Sequence, residues 1–286
     1  MSIHLKTRQR GIALIAVLWV TAFLTIIAST VAYQSRSSLQ MTKNRIDTLK
    51  VKQAVEGAIL ITIADLVNAP ESLRGFKRGR FGQYVVDKIE VEISLFDESG
   101  KIDLNTAPAP ILQALLLEVG AGEEFSAQIA DAIIDWRDSD EDARANGAED
   151  AQYFAAGLRY GSKDDFFQRK EELNLVYGVT PQLYAALNPH VTVHTQDFGV
   201  NLSAASPLVR RAVNNASQLE EESSITEEDD FLADAEDFSS LSGGYIYTVE
   251  ARAKNSNGVY KQYSAIVRLD RGNTYEPFTI LNWTQI

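Results

Sequence analysis

The feature that most constrains this chain is an uninterrupted apolar segment close to its N-terminus. No charged residue occurs from Ile12 to Ser35, and the segment is rich in Ile, Leu, Val and Ala. About 20 apolar residues are enough for a helix to cross the hydrocarbon core of a bilayer. Hydroxyls such as those of Thr21 and Thr25 can bond back to the preceding helical turn, so they do not interrupt a span. The sequence therefore predicts a membrane-spanning helix here.

Basic residues precede this segment and predict its orientation. Lys6, Arg8 and Arg10 lie before it, and residues 1–10 contain no acid. The positive-inside rule places such an N-terminus in the cytoplasm, so we expect the chain after about residue 36 to be periplasmic. A secretory signal peptide cut near Ala28-Ser29-Thr30 and a plain single-pass anchor fit the same apolar pattern.

Composition excludes some functions for the rest of the chain. The formal net charge is -12, whereas binding to nucleic-acid phosphates uses Lys and Arg. The chain contains no Cys, so it has neither disulfides nor a thiol nucleophile. An exported protein of this kind must be stabilised by its apolar core or by a bound metal.

Periodicity predicts a mixed fold after the span. Apolar residues at helical spacing, such as Val51, Val55 and Ala58, continue one helix from Ile12 to about Val67. Alternating segments at 89–95 and 245–251 predict strands, and Asn257-Gly258 predicts a hairpin turn into a returning strand.

The segment between these strands is helical in pattern. Two similar openings, Leu104-Asn105-Thr106-Ala107-Pro108 and the segment 200–207, precede apolar helical runs, and their Asn, Ser or Thr side chains are candidate helix caps. We expect an α+β fold with a long N-terminal transmembrane helix, an antiparallel sheet, which the resemblance described below implies is pilin-like, and a large inserted α-helical domain. The predicted divisions are 1–11 (leader), 12–67 (helix, span about 12–35), 68–100 (first part of the sheet), 101–235 (inserted helical domain with two helix-hairpin-helix-like repeats) and 236–286 (second part of the sheet).

A dense acidic loop follows the first pair of predicted helices. Counted from Asp138, acids fall at positions 3, 5 and 12, as in an EF-hand, although Ala143 occupies the position of the usual Gly. So many carboxylates repel one another unless they are solvated or bridged by a cation. Spacing alone leaves open a calcium site or an ion-free surface loop. Trp136 is predicted to be a core residue beneath this loop, and Glu220 to Asp237 a solvated acidic linker.

The order Arg10-Gly11-Ile12 resembles the leader of type IV pilins and pseudopilins. In that family, a prepilin peptidase cuts after the Gly and methylates the new N-terminus, which implies cleavage after Gly11 and methylation of Ile12. Most members carry Glu at the fifth mature position. Here that position is Ala16, so this chain lacks the acid that pairs with a neighbouring subunit.

The sequence as a whole resembles the minor pseudopilin K family of type II secretion systems. The resemblance rests on the leader, on Ala16, on the Leu104-Asn105-Thr106-Ala107 opening and on the acidic loop. It implies a structural, non-enzymatic subunit of the inner membrane at the pseudopilus tip, in complex with minor pseudopilins I and J. It also implies a calcium ion, with ligands Asp138, Asp140, Asp142, Glu149 and Asp150.

Two other classes of function share single features with this sequence. A membrane-tethered helix-hairpin-helix DNA-binding protein of the competence type shares the Leu-Asn-Thr-Ala opening, but the hairpin of this chain carries Glu118, Glu123 and Glu124 where phosphate contacts are needed. A periplasmic enzyme could use His190 and His194, which we expect instead to be surface or hairpin residues. The sequence contains no nucleophile elbow or metalloprotease helix.

Overall fold

A computed structural model describes residues 10–68, 80–223, 245–270 and 275–286. Helices in these residues are α1 (Arg10–Asn68), α2 (Ala109–Glu118), α3 (Glu123–Arg137), α4 (Asp150–Ala155), α5 (Pro181–Leu187) and α6 (Pro207–Ser223). Strands are β1 (Arg80–Val86), β2 (Ile89–Asp97), β3 (Ile102–Asp103), β4 (Val191–Thr192), β5 (Ile246–Lys254), β6 (Tyr260–Leu269) and β7 (Phe278–Gln285). The predicted α+β class is confirmed. The leader up to residue 9 lies outside the described residues.

Helix α1 is continuous over 59 residues, a length of roughly 90 Å. Within the described residues it contains one window that is long and apolar enough to cross a membrane, and the side chains of that window are exposed in the isolated chain. The Thr21 hydroxyl donates to the Leu18 carbonyl at 3.0 Å, and the Thr25 hydroxyl donates to the Thr21 carbonyl at 2.7 Å. These bonds confirm the prediction that the two threonines do not interrupt the helix.

The last third of α1 packs on a five-stranded antiparallel sheet. The strand order is β1-β2-β5-β6-β7. Strands β2 and β5 pair side by side, and Asp97 opposite Tyr247 is the last pair of their ladder. Side chains from one face of the sheet and from one face of α1 form a single apolar core, which includes Val51, Val55 and Ile59. The predicted strands β2, β5 and β6 are confirmed, whereas the two edge strands β1 and β7 were not predicted separately.

Between β2 and β5 the chain forms a helical lobe, defined here as residues 101–223. Its helices surround the short parallel pair of β3 and β4 and enclose a second apolar core, with α2 packed against both α3 and α6. Helix α2 ends in a Schellman turn, in which Ala121 N–H donates to the Leu116 carbonyl at 3.0 Å. Gly120 has φ +94° there, a conformation that favours glycine.

The predicted helix caps are confirmed at one opening and wrong at the other. Ser206 Oγ accepts a bond from Val209 N–H at 3.0 Å in the first turn of α6. At α2 the N-cap is Pro108, without a side-chain cap. Asn105 instead binds the backbone of Phe167, accepting from its N–H at 2.7 Å and donating to its carbonyl at 2.9 Å. Its amide therefore joins distant loops of the lobe.

His190 and His194 are partly exposed, in line with the expected surface position, but the expected hairpin between them is wrong. Strand β4 between them pairs in parallel with β3 inside the lobe, and both imidazoles are half-buried. His190 Nδ1 lies 3.2 Å from Ser206 Oγ, and burial lowers the pKa of His194. The predicted acidic linker lies outside the described residues from position 224 onward.

Gly100 offers a test of the fold at the point where the sheet leads into the lobe. A Cβ added there would lie 2.5 Å from the Ala204 carbonyl carbon, which is backbone and cannot rotate away. We expect Gly100→Ala to destabilise the chain by about 1–3 kcal/mol, because the overlap must be relieved by moving the backbone. Thermal unfolding of the purified full-length chain in detergent measures the effect.

Gly82→Ala is the matched control. Gly82 lies in β1 outside the left-handed region, and an added Cβ would meet nothing within 4 Å. Equal melting temperatures for the two variants would contradict the close approach at Gly100.

Candidate metal centre

The acidic loop connects the end of α3 with the start of α4 and folds back on α3. Asp135 is fully buried in the last turn of α3, and its Oδ2 accepts a bond from Arg144 N–H at 3.2 Å. Asp131, one turn earlier, accepts bonds from Asn146 N–H at 3.2 Å and from Asn146 Nδ2 at 3.1 Å. A Cβ at Gly147 would overlap the Asp135 carboxylate, so only glycine fits there. Two carboxylates of α3 thus determine the course of the loop.

Two further positions of the EF-hand count make bonds within the loop. The Arg144 carbonyl, at position 7, accepts a bond from Gly147 N–H at 3.0 Å, which closes a turn. Asn146, at position 9, donates from Nδ2 to Asp131, which leaves its Oδ1 as an acceptor.

Glu149 and Asp138 are the two predicted ligands that the structure buries most effectively. Glu149 is 4% exposed, its Oε2 accepts a bond from Ser162 Oγ, and its Oε1 is buried without a partner. Asp138 Oδ1 is also buried without a partner. Buried carboxylate oxygens are rarely left unpaired in stable proteins, because desolvation without a compensating bond is costly. Both oxygens are suited to a cation.

Burial and neighbouring carboxylates raise the pKa values of both Glu149 and Asp138. Burial, together with the charges of Asp135, Asp164 and Asp138, raises the pKa of Glu149 to about 7. Burial raises the pKa of Asp138 as well, and the charges of Asp140 and Asp164 add to the effect. The carboxylates thus lie close enough to repel one another, and a divalent cation would relieve that repulsion.

Asp164 is a member of this acidic cluster that the sequence reasoning missed. Its charge acts on both Asp138 and Glu149, although it is exposed and belongs to the loop after α4. Its φ is +55°, in the left-handed region that Asp tolerates better than most residues. The only local signal was the pair Asp164-Asp165 itself, and no spacing rule connects it to the loop at 138–150.

The other three predicted ligands lie at the rim of the cluster. Asp140 and Asp142 are exposed, and Asp140 Oδ1 accepts a bond from Asp142 N–H at 3.0 Å. Asp150 is the exposed first residue of α4, and its carboxylate occupies the space that a Cβ of Gly161 would need. Across the described ranges, no three His, Asp or Glu side chains converge closely enough to hold a metal. The donors are nonetheless hard oxygens of the kind that calcium prefers.

Three aromatic side chains pack together beneath the acidic loop. Trp136 is 4% exposed, and its ring centroid lies 6.0 Å from Tyr153 and 6.2 Å from Phe167. Tyr153 Oη accepts a bond from Tyr177 N–H at 2.9 Å. The prediction that Trp136 is a core residue beneath the loop is confirmed.

Arg137 connects the end of α3 to the first helical opening. Its guanidinium donates to the carbonyls of Leu104 and Ala107, the latter at 2.8 Å. Burial lowers the pKa of Arg137 to about 10, which leaves it charged at neutral pH. Arg137 therefore joins the Leu104-Asn105-Thr106-Ala107 segment directly to the start of the acidic loop.

Comparisons with known proteins agree with this arrangement. A family model described as type II secretion system (T2SS), protein K matches residues 93–196, the range that contains both the opening after β2 and the acidic loop. A type II secretion system protein K from Klebsiella pneumoniae is 28% identical over 222 residues, 70% of this chain and 68% of the relative. One from Pseudomonas aeruginosa is 25% identical over 281 residues, 87% of this chain and 83% of the relative.

The fold is shared with a solved structure. A chain of the GspK-GspI-GspJ complex from the type 2 secretion system of enterotoxigenic Escherichia coli aligns with a TM-score of 0.59 and 15% identity. The alignment covers 87% of this chain and 99% of that one. With the family match over the opening and the acidic loop, these likenesses confirm the predicted resemblance to type II secretion system protein K.

Proposed function

We propose that this chain is the structural minor pseudopilin at the tip of the type II secretion pseudopilus, where it serves pseudopilus assembly and protein export across the outer membrane. The observation that carries the proposal is Ala16, which stands in the exposed apolar half of α1 without a carboxylate. The proposal further includes cleavage of the leader after Gly11 by the prepilin peptidase, methylation of Ile12, and an anchor in the inner membrane with a cytoplasmic N-terminus.

The cost of an unpaired charge in a bilayer favours a position at the tip. After cleavage, the new ammonium at Ile12 would lie beside hydrocarbon, where an isolated charge is expensive, so it needs a carboxylate from a neighbouring subunit. This chain can offer its own ammonium to such a neighbour. It cannot return a carboxylate to a further subunit, because Ala16 has none. A subunit with this property suits the end of a filament.

The helical lobe supports the same position by its bulk. It is inserted between β2 and β5, which are neighbours in the middle of the sheet, and it carries an apolar core of its own. A body of this size at the central strands would obstruct a further subunit stacked on the sheet. This argument is independent of Ala16.

Exposed apolar side chains on α1 offer a surface for partner subunits. Leu39, Met41, Ile46 and Leu49 follow the span and are between 47% and 68% exposed in the isolated chain. Leu39, Ile46 and Leu49 share one face of the helix by their spacing, and exposed apolar residues of this kind indicate packing against other helices. The solved relative is found in a complex with GspI and GspJ. We propose that minor pseudopilins I and J bind this chain.

A DNA-binding function is disfavoured by the hairpin between α2 and α3. Its flanks carry Glu118, Glu123 and Glu124. Glu118 accepts bonds from Arg211 Nε at 2.7 Å and from Asn215 Nδ2 at 3.1 Å, so the nearby cation is already neutralised. Phosphate contacts need free basic or neutral donors at such a hairpin.

We also propose that a structural calcium ion binds the acidic loop. Asp138 and Glu149 would hold it through their unpartnered oxygens, with Asp164 adding charge and Asp140, Asp142 and Asp150 as the predicted outer ligands. When bound, the ion would neutralise the repulsion among the carboxylates and so stabilise the fold of the loop over Trp136.

Ala16→Glu tests the tip assignment in cells that lack the native gene. We expect reduced export of a type II substrate, or incorporation of the chain along the pseudopilus shaft. The new carboxylate could recruit a further subunit. Otherwise it stays unpaired in the membrane, where the insertion free energy of a charged side chain is about 2.5–3.5 kcal/mol near the centre of a span. The secreted fraction of the substrate and the amount of the chain in sheared filaments measure the two outcomes.

Ala16→Gln is the control for polarity without charge, and we expect near-native export from it. Normal export and unchanged localisation of Ala16→Glu would contradict the argument from the missing acid.

Calcium removal tests the metal proposal on the full-length chain in detergent. At 100-fold excess over its Kd, calcium adds about 2.7 kcal/mol of stability, so EDTA should lower the melting temperature by roughly 5–10 °C. Glu149→Gln should abolish this calcium-dependent shift without destabilising the calcium-free form, because it removes a repelled charge. Glu141→Gln, an exposed acid of the same loop, is the matched control and should retain the shift. Identical melting curves with and without EDTA would refute the proposal.

A further inference from the structure

The sheet and the helical lobe meet at a small polar junction. Each has its own apolar core, and no residue belongs to both. Within the described part of the chain, no helix of the lobe packs extensively on the five-stranded sheet. A cleft of about 580 Å³ opens between them, with Lys170 and Asn188 of the lobe on one side and Thr248 and Glu250 of the sheet on the other. Apolar packing alone therefore does not determine the orientation of the lobe.

Glu98 lies at the centre of this junction, in a short 3-10 turn (Glu98–Gly100) directly after β2. Its side chain is 1% exposed. Its Oε1 accepts bonds from Thr248 Oγ1 of β5 at 2.6 Å and from Lys101 Nζ, and the side chain of Thr192 in β4 lies close enough to lower its pKa. One carboxylate thus bonds to the sheet through Thr248 and to the start of the lobe through Lys101, beside Thr192.

The backbone of the same turn makes the neighbouring contacts with the lobe. The Ser99 carbonyl accepts a bond from Asn201 N–H at 2.8 Å. Gly100 lies directly against the backbone of Ala204, as described above. These contacts secure the turn to the segment before α6, and they leave Thr248 as the hydroxyl through which Glu98 reaches the sheet.

The charges around Glu98 favour an ionised carboxylate. Burial would raise the pKa of Glu98, but the Lys101 ammonium and the hydrogen bonds from Lys101, Thr248 and Thr192 outweigh it and lower the pKa. The Lys170 ammonium and the His194 imidazole also lie close enough to interact with the Glu98 charge. A buried ionised group is tolerated only while its partners stay in place, so it penalises every arrangement that separates them.

We propose that the Glu98 carboxylate is an orientation lock, a positioning residue that holds the helical lobe in one fixed arrangement on the sheet. Only one placement of the lobe brings Thr192, Lys101 and Thr248 to the same carboxylate. The lock acts within the chain, so it does not depend on the proposed position at the pseudopilus tip or on the calcium ion.

The absence of Cys makes a direct distance measurement possible. Spin labels at Gln83→Cys on β1 and Gln182→Cys on α5, both exposed, report the separation of sheet and lobe in the full-length chain in detergent. Pulsed electron paramagnetic resonance should give one narrow distance for the otherwise native chain. Glu98→Ala should abolish that single distance and give a broad distribution, while circular dichroism shows that both parts stay folded.

Thr248→Val is the milder variant, because it keeps the shape of the side chain and removes only the sheet's bond to Glu98. It should also broaden the distribution, and Glu98→Gln, which retains an acceptor for Thr248, should broaden it less than Glu98→Ala. Glu118→Ala is the control, since its partners Arg211 and Asn215 both belong to the lobe, and it should keep the narrow distance.

If Glu98→Ala does not fold, Thr248→Val alone tests whether Glu98 holds the lobe in one orientation. An unchanged narrow distance in Thr248→Val would overturn the proposal, as would one in a folded Glu98→Ala. Equal broadening by Glu118→Ala would also overturn it, because general destabilisation would then account for the loss.

Discussion

The structure depends on one helix that is shared by two apolar environments. Residues 12–35 of α1 carry no charge, and no other described residue covers the apolar side chains there, whereas the last third of α1 is covered on one face by the sheet. A continuous hydrogen-bonded helix joins the two, so the folded part of the chain is held at a defined distance from any bilayer that receives the span. The positions of the sheet, the lobe and the acidic loop all follow from that connection.

The helical lobe shows how a second body can be added to such a framework. It leaves and re-enters the sheet at paired residues of two neighbouring strands, Asp97 and Tyr247, so the ladder is uninterrupted. It then folds on its own core, and polar groups rather than shared apolar packing connect it to the sheet. Buried carboxylates mark both of its critical points, Glu98 at the junction and Glu149 in the acidic loop. The first accepts bonds from Thr248 and Lys101 through its Oε1, and the second lacks a partner for Oε1.

Sequence periodicity predicted the elements that bury one face and missed those that do not. β2 alternates between buried and exposed side chains along its length, and its pattern was visible. The edge strand β7 contains no fully buried residue, so its sequence carries no alternation. β3 and β4 have two residues each, too few for any pattern. Local chemistry predicted the acidic loop and the role of Trp136.

Long-range contacts account for what the sequence could not predict. Asp164 joins the acidic cluster because the loop after α4 returns across it, and no local spacing encodes that return. Asn105 was interpreted as a helix cap, whereas the fold uses its amide to bind Phe167. Glu98 looked like an ordinary turn residue. It is buried because the lobe closes over it, and this depends on residues more than ninety positions away, such as Thr192 and Thr248.

We propose that the chain is processed and assembled as a pseudopilin through the apolar part of α1. Mass spectrometry of the protein isolated from membranes tests it most directly. The account predicts an intact mass that lacks residues 1–11 and an N-terminal peptide that starts with N-methylated Ile12. A membrane protein that retains Met1, or a soluble product cut near Ala28, would contradict it.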